Sequence, residues 1–319
     1  MRSIVTRNNR AVNTDFLSGL CQHGNLVRLI LRHLPYLLRR TLLAAIDDGL
    51  FGLAKGVAYS ALLSFFPVLT SAAAILVQVK AEFMQDYLDK FLAEVLPPGT
   101  EDVVTQQFTS QGQRPLALLV IAVILSVWAA SSVVKSLIDG FNAAYRVPLN
   151  RSVLAHIGVG MMLVVFAVIP LVGASSLILF GGQIEEWVLS LLKVDSILNP
   201  LASWWELFWR IMRYLLAFGG MVSLSGILYY YGPNRKQRWR AVWPGAILST
   251  ALWLLATYAF GYYVGKFAHY NVIYGGVAAS IALLSWMYLL AAIALIGCEF
   301  NAEAERMEVA LGALQLSRQ

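Results

Sequence analysis

Five residues with chemistry to offer, Trp128, Ser132, Lys135, Asp139 and Asn142, follow one another at intervals of four, three, four and three. They begin inside an apolar run, Leu116 to Val134, that is long enough to cross a bilayer. At 100° per residue these intervals put all five within roughly 80° of one helix face. An ammonium, a carboxylate, an amide and a hydroxyl on one stripe can bind a charged solute, pass protons or receive a lipid headgroup. They cannot all face acyl chains, because a charge near the bilayer centre costs at least ~2.5–3.5 kcal/mol. The stripe is therefore predicted to face other helices, a wet cavity or the membrane interface.

Two further stripes repeat the pattern. Asp48, Gly52, Lys55 and Tyr59 share a face of an earlier apolar run, and the Gly52–Gly56 pair would let a second helix approach closely. Ser285, Tyr288, Ala292 and Glu299 share a face of the last run, with Asn301 and Glu303 just beyond. By position, Asp48, Lys55, Lys135, Asp139 and Glu299 fall in one layer towards the cytoplasmic end. One reading makes them structural ion pairs, Lys135 with Asp139 and Lys55 with Asp48 or Glu299, that fix register and snorkel to the headgroups. The other makes them a transport seam, a cytoplasm-facing vestibule for a charged solute, a proton or a headgroup. Recurrence on three helices favours the second. Lys55, Lys135, Asp139 and Glu299 would carry charge, Tyr59, Ser132 and Asn142 would hydrogen-bond beside them, and Trp128, Ser285 and Tyr288 would complete the stripe.

The elements that must position these groups are membrane helices. Hydrophobic residues are 59% of the 319 and charged residues 13%, about half the ~25% of a soluble domain. Six spans are predicted by hydropathy and length: Leu50–Val79, Leu116–Leu137, Val153–Gly181, Phe208–Tyr231, Val242–Val264 and Tyr274–Phe300. The first holds Pro67 midway and is expected to bend or break there. Leu26–Leu43, with Arg28, Arg32, Arg39 and Arg40 among leucines, reads as an amphipathic helix on the membrane surface. The expected fold class is all-α: a polytopic six-span bundle with short amphipathic surface helices. Residues 1–44 would form a cytoplasmic N-terminal segment, 45–305 the transmembrane domain and 306–319 a cytoplasmic tail.

Loop charges orient the bundle. Arginines crowd the segment before span one, Arg146 and Arg151 lie between spans two and three, and Arg235, Lys236, Arg238 and Arg240 lie between four and five. The intervening loops are richer in acid. The positive-inside rule then places both termini in the cytoplasm, consistent with an even number of spans. The two longer outer loops carry helical spacing from Phe83 to Val95 and from Ile184 to Leu192, read as short helices on the outer leaflet.

Several chemistries are excluded or unsupported. Cys21 and Cys298 form no disulfide framework, and the four histidines lack metal-ligand spacing, so no metal and no cofactor is expected. HExxH, GxSxG and Walker A motifs are missing, which argues against an enzyme and against an ATP-driven pump. Arg235, Lys236, Arg238 and Arg240, beside Trp239 and Trp243, suit anionic lipid headgroups better than nucleic acid.

Five ordered motifs carry a family resemblance. Ala54–Pro67 (AKGVAYSALLSFFP), Trp128–Tyr145 (WAASSVVKSLIDGFNAAY), Tyr231–Asn234 with Trp243–Ala246 (YGPN…WPGA), Tyr270–Gly275 (YNVIYG) and Gly297–Glu303 (GCEFNAE) resemble the YihY/BrkB family. The resemblance runs from about Leu42 to Glu305. It implies a six-span protein of the bacterial inner membrane with both termini inside. Members were once labelled ribonuclease BN; that label is rejected, because no clustered carboxylates or histidines meet a basic strand-binding track. The function expected is transport or lipid handling, with membrane lipids and an unnamed solute or lipid substrate as partners and self-association left open. The alternative is a non-catalytic membrane scaffold involved in envelope integrity or virulence.

Overall fold

The computed structural model describes residues 25–78, 116–148, 151–191, 201–267 and 277–316. These residues form seven helices: α1 (Asn25–Asp47), α2 (Leu50–Gln78), α3 (Leu116–Ala144), α4 (Val153–Leu191), α5 (Leu201–Tyr231), α6 (Trp239–Phe267) and α7 (Val277–Leu316). Six of them, α2 to α7, are long and apolar enough to cross a membrane. The all-α, six-span class expected from hydropathy is the class found. The expected helix Phe83–Val95 and the Tyr270–Gly275 motif lie outside the described residues, whereas 184–191 continue α4 without a break.

Helix ends follow local chemistry. Gly49, at φ +69°, takes the left-handed conformation that ends α1, and its amide donates to the Ile46 carbonyl at 3.1 Å. Arg146 does the same for α3 at φ 55°, with the Val147 amide closing onto Asn142 O at 2.9 Å. Ser152 Oγ caps α4 by accepting from the Ala155 amide at 3.3 Å. Pro67 was expected to bend or break span one, yet α2 runs unbroken through it. Its carbonyl accepts from Ser126 Oγ of α3 at 2.6 Å, which ties α2 to α3 at this level. A non-helical residue appears instead in α1 at His33, two positions ahead of Pro35.

The spans pack in a closed circuit, each of α2 to α6 against the next and α7 back against α2. α7 also meets α3 and α1. Half of its apolar window is buried, against at most 28% in any other span, so α7 is the core helix. The transmembrane boundary expected at residue 305 falls inside this continuous helix. The main core joins Phe141, Tyr229 and Leu295, with the Phe141 and Tyr229 rings edge-on at 5.2 Å. A smaller cluster of Leu37, Phe300, Ala304 and Met307 seats α1 on α7.

Candidate functional site

The end of the bundle that gathers α1, the α3–α4 turn, the α5–α6 turn and the last turns of α7 is rich in ions. Glu299 and Glu303 lie one turn apart on α7 and are buried. Arg306 donates to Glu299 Oε1 at 2.9 Å, to Glu303, and to the Ala144 carbonyl of α3 at 2.5 Å. Arg40 of α1 reaches Glu303 Oε2 at 2.5 Å. One chain of charge thus joins α1, α3 and α7. Burial of carboxylates demands such partners, and two arginines against two glutamates leave the group neutral. A separate pair joins Arg146 to Asp48 at 3.1 and 3.2 Å, tying the cap of α3 to the start of α2.

The α5–α6 turn is latched from three sides. Asn142 Oδ1 accepts from the Asn234 amide at 2.7 Å, and Arg151 donates to the carbonyls of Gly232 and Pro233 at 3.0 and 3.3 Å. Arg235 pairs with Glu305 at 2.6 Å while its guanidinium stacks 4.5 Å over the Tyr145 ring. Tyr145 in turn donates to Gln237 Oε1 at 3.2 Å. Burial, with Cys298 and Glu305 nearby, holds that phenol well above its ordinary value, and Arg235 only partly offsets this. Arg238 pairs with Glu308 at 2.5 Å. The four-residue basic cluster expected to bind headgroups is therefore divided. α7 extends past its span and brings Glu305 and Glu308 to Arg235 and Arg238, leaving Lys236 and Arg240 as the exposed cations of the four without an ion pair among the described residues.

α6 and α7 cross at two glycines. A Cβ on Gly245 would lie 2.6 Å from Asn301 Cγ, and one on Gly297 would lie 2.6 Å from Ser249 Cβ. The close approach lets Asn301 bridge the α6 backbone, accepting from the Gly245 amide at 2.7 Å and donating to Val242 O at 3.0 Å. Tyr229 donates to the Ala294 carbonyl of α7 at 2.7 Å.

The residues grouped as one seam do not meet in one interior. Tyr59 and Trp128 are exposed by 62% and 61%, and Lys55 and Ser285 are exposed as well. No atom lies within 4 Å of a Cβ placed on Gly52 or Gly56, so the face bearing Lys55 is uncovered here. Asn142 and Glu299, by contrast, are buried. The ion pairs expected for Lys55 do not form, because Asp48 is taken by Arg146 and Glu299 by Arg306. Ser132 donates within its own helix, to Ala129 O at 2.6 Å, and Ser285 to Ile281 O at 2.8 Å. Tyr288 is half-buried against the main core. The polar contact between α2 and α3 is made elsewhere, by Ser60 with Ser136 at 3.1 Å and Ser71 with Ser126 at 2.7 Å. Ser60, Ser64 and Ser71, at i, i+4 and i+11 on α2, were the sequence signal for it.

Lys135 and Asp139 both lie on the α4 side of α3, but the ion pair expected between them does not form, and Asp139 turns to α4 instead. Asp139 Oδ1 lies 3.5 Å from His156 Nε2 of α4. One turn along, the Lys135 stem covers Gly160, where a Cβ would stand 3.0 Å from Lys135 Cγ. Nothing in the sequence around His156 announces a partner seventeen positions earlier. Among the described residues no group of three or more His, Cys, Asp or Glu could hold a metal ion.

The chain matches the family described as Virulence factor BrkB over residues 42–318. It belongs to that family. It is 29% identical over 272 residues to a UPF0761 membrane protein of Tolumonas auensis, covering 85% of this chain and 83% of the relative. It is 28% identical over 250 residues to the ribonuclease-like protein YfkH of Bacillus subtilis, covering 77% of this chain and 86% of that one. No solved structure matches. The expected YihY/BrkB membership thus stands, and the BrkB motifs acquire structural jobs. In this BrkB chain the YGPN turn offers the backbone groups that Asn142 and Arg151 hold. The WPGA and GCEFNAE motifs supply the glycine crossing, the Asn301 bridge and the buried glutamates.

Proposed function

We propose that this BrkB protein moves a charged or amphiphilic solute, or a lipid, across the bacterial inner membrane along the α3–α4 face, with both termini in the cytoplasm and no enzymatic step. One contrast carries the reading. The α7 acids are closed against arginines, whereas Asp139 and Lys135 lie inside a membrane span and stay half-exposed. At 1.5 Å per residue they sit roughly 8 and 14 Å from the Ala144 end of α3. Ionisable groups kept at such depth without full neutralisation are costly, and they commonly mark a substrate or ion path. Energy would come from an ion gradient or a partner protein.

The test is metabolite and lipid profiling of a strain lacking the protein, followed by movement of the most displaced compound into proteoliposomes. Lys135→Met should abolish movement while the protein still purifies as a single species. Equal movement with and without Lys135 would sink the proposal.

One observation favours the scaffold reading: the ion-rich end is tightly paired, with Arg235–Glu305 and Arg238–Glu308 holding a firm face. A scaffold would lose function when Lys236 and Arg240 are neutralised and keep it when Lys135 is changed.

A further inference from the structure

Two contacts across α3 and α4 share one antiparallel register. Lys135 lies over Gly160, and four residues along each helix Asp139 faces His156. His156 is held in the first turn of α4, where its amide donates to Ser152 O at 2.9 Å. Its side chain is 18% exposed and that of Asp139 43%, so the carboxylate side of the pair is not covered by the packed helices. At 3.5 Å the two heavy atoms are in ion-pair range but beyond a normal hydrogen bond. On the other packed elements, Lys55 of α2 lies on an exposed face with no ion pair among the described residues, Arg210 of α5 is exposed, Arg213 of α5 lies over the Tyr214 ring, and the remaining charged groups nearby are engaged with one another. Asp48 of the α1–α2 turn holds Arg146, and Glu299 and Glu303 of α7 hold Arg306. Arg151, just before α4, holds the α5–α6 turn.

We infer that Asp139 and His156 form a proton-binding pair, and that its protonation readies the space beside Lys135 for an anionic group of phosphate type. This inference rests on the transport reading above and names its coupling ion. With His156 neutral, Lys135 and Asp139 cancel. A proton taken from water onto the imidazole leaves the three groups at one net positive charge. In a low-dielectric span that charge is costly alone and is relieved by an anion. Proton and anion therefore enter together, and loss of the proton returns the site to neutrality and releases the anion. No covalent bond is made or broken. Imidazole is the side chain suited to this exchange near neutral pH.

The test uses the full chain in phosphatidylethanolamine–phosphatidylglycerol bilayers. Infrared difference spectra between about pH 5.5 and about pH 7.5, spanning the range where imidazole titrates, should show a ring signal that disappears in His156→Asn. In Asp139→Asn the band position of the ring should change, because the carboxylate 3.5 Å from it is gone. Vesicles carrying fluorescent phosphatidylglycerol, or labelled inorganic phosphate in the lumen, then distinguish a lipid headgroup from a free anion. Whichever probe moves should move about tenfold faster with acid on the entry side, and both variants should lose that acceleration. His156→Gln serves if His156→Asn does not elute as one species. An imidazole signal indifferent to Asp139 overturns the pair. Movement that keeps its acid dependence without His156 overturns the coupling and leaves transport standing. If neither probe moves with the wild-type protein, the transport of such anions falls, and the coupling to them falls with it.

Discussion

Asn301 on α7 grips Gly245 on α6 from the side: its Oδ1 accepts the glycine amide at 2.7 Å while its Nδ2 donates to Val242 O three residues earlier. The grip exists only because nothing projects from residue 245. Gly245→Ala should destabilise the protein by about 1–3 kcal/mol or more through overpacking. Gly52→Ala, at a helical glycine with open space around it, should be neutral or gain about 0.5–1 kcal/mol from helix propensity. Unfolding of the two purified variants in one detergent checks the contrast, and equal stabilities would contradict it.

Arg306→Met should be among the most damaging single changes. It strips Glu299 of its ion-pair partner among the described residues and leaves Glu303 with Arg40 alone. Removing one partner of a buried ion pair costs about 3–5 kcal/mol. The expected readout is poor recovery of folded protein, with partial rescue by Arg306→Met combined with Glu299→Gln. An unchanged melting temperature for the single variant would refute the buried network.

Lys55→Gln should change stability by less than about 0.5 kcal/mol, as for surface positions without partners. Lys55 is exposed and forms no ion pair among the described residues. A loss of several times that size would mean that the residue is tied into the interior after all.

Tyr145 predicts a pH dependence. Its phenol is held above the ordinary value by burial, so above about pH 10 the unfolded chain loses this proton while the folded one keeps it. Folded protein then binds more protons, and its stability contribution is full below about pH 10 and declines as pH rises further. Tyr145→Phe should flatten that decline in alkaline denaturation curves. Identical slopes for the two proteins would contradict the assignment.

The sequence made the spans legible because each is a long apolar run, and six hydropathic stretches became six helices. It also put Asn142 and Glu299 on polar stripes, with Asn301 and Glu303 just beyond, and all four are buried. What it could not convey was which face of each helix would be covered. Helical spacing places Lys55, Tyr59 and Gly52 on one stripe, but that face is open, since α2 turns its serines towards α3. Nor could spacing identify partners distant in sequence. Arg306 with Ala144 and Asp139 with His156 depend on how helices stack, and that is settled by glycine contacts and side-chain volumes.

The order in which these helices are made has a bearing on orientation. Arg40, Arg235 and Arg238 all find their acids on α7, the last of the described helices. While the earlier segments are being threaded into the bilayer, those arginines have no counterions from α7 and keep their full pull towards the side that retains positive charge. Only when α7 arrives are they neutralised, so the signal that orients the protein is spent in closing it.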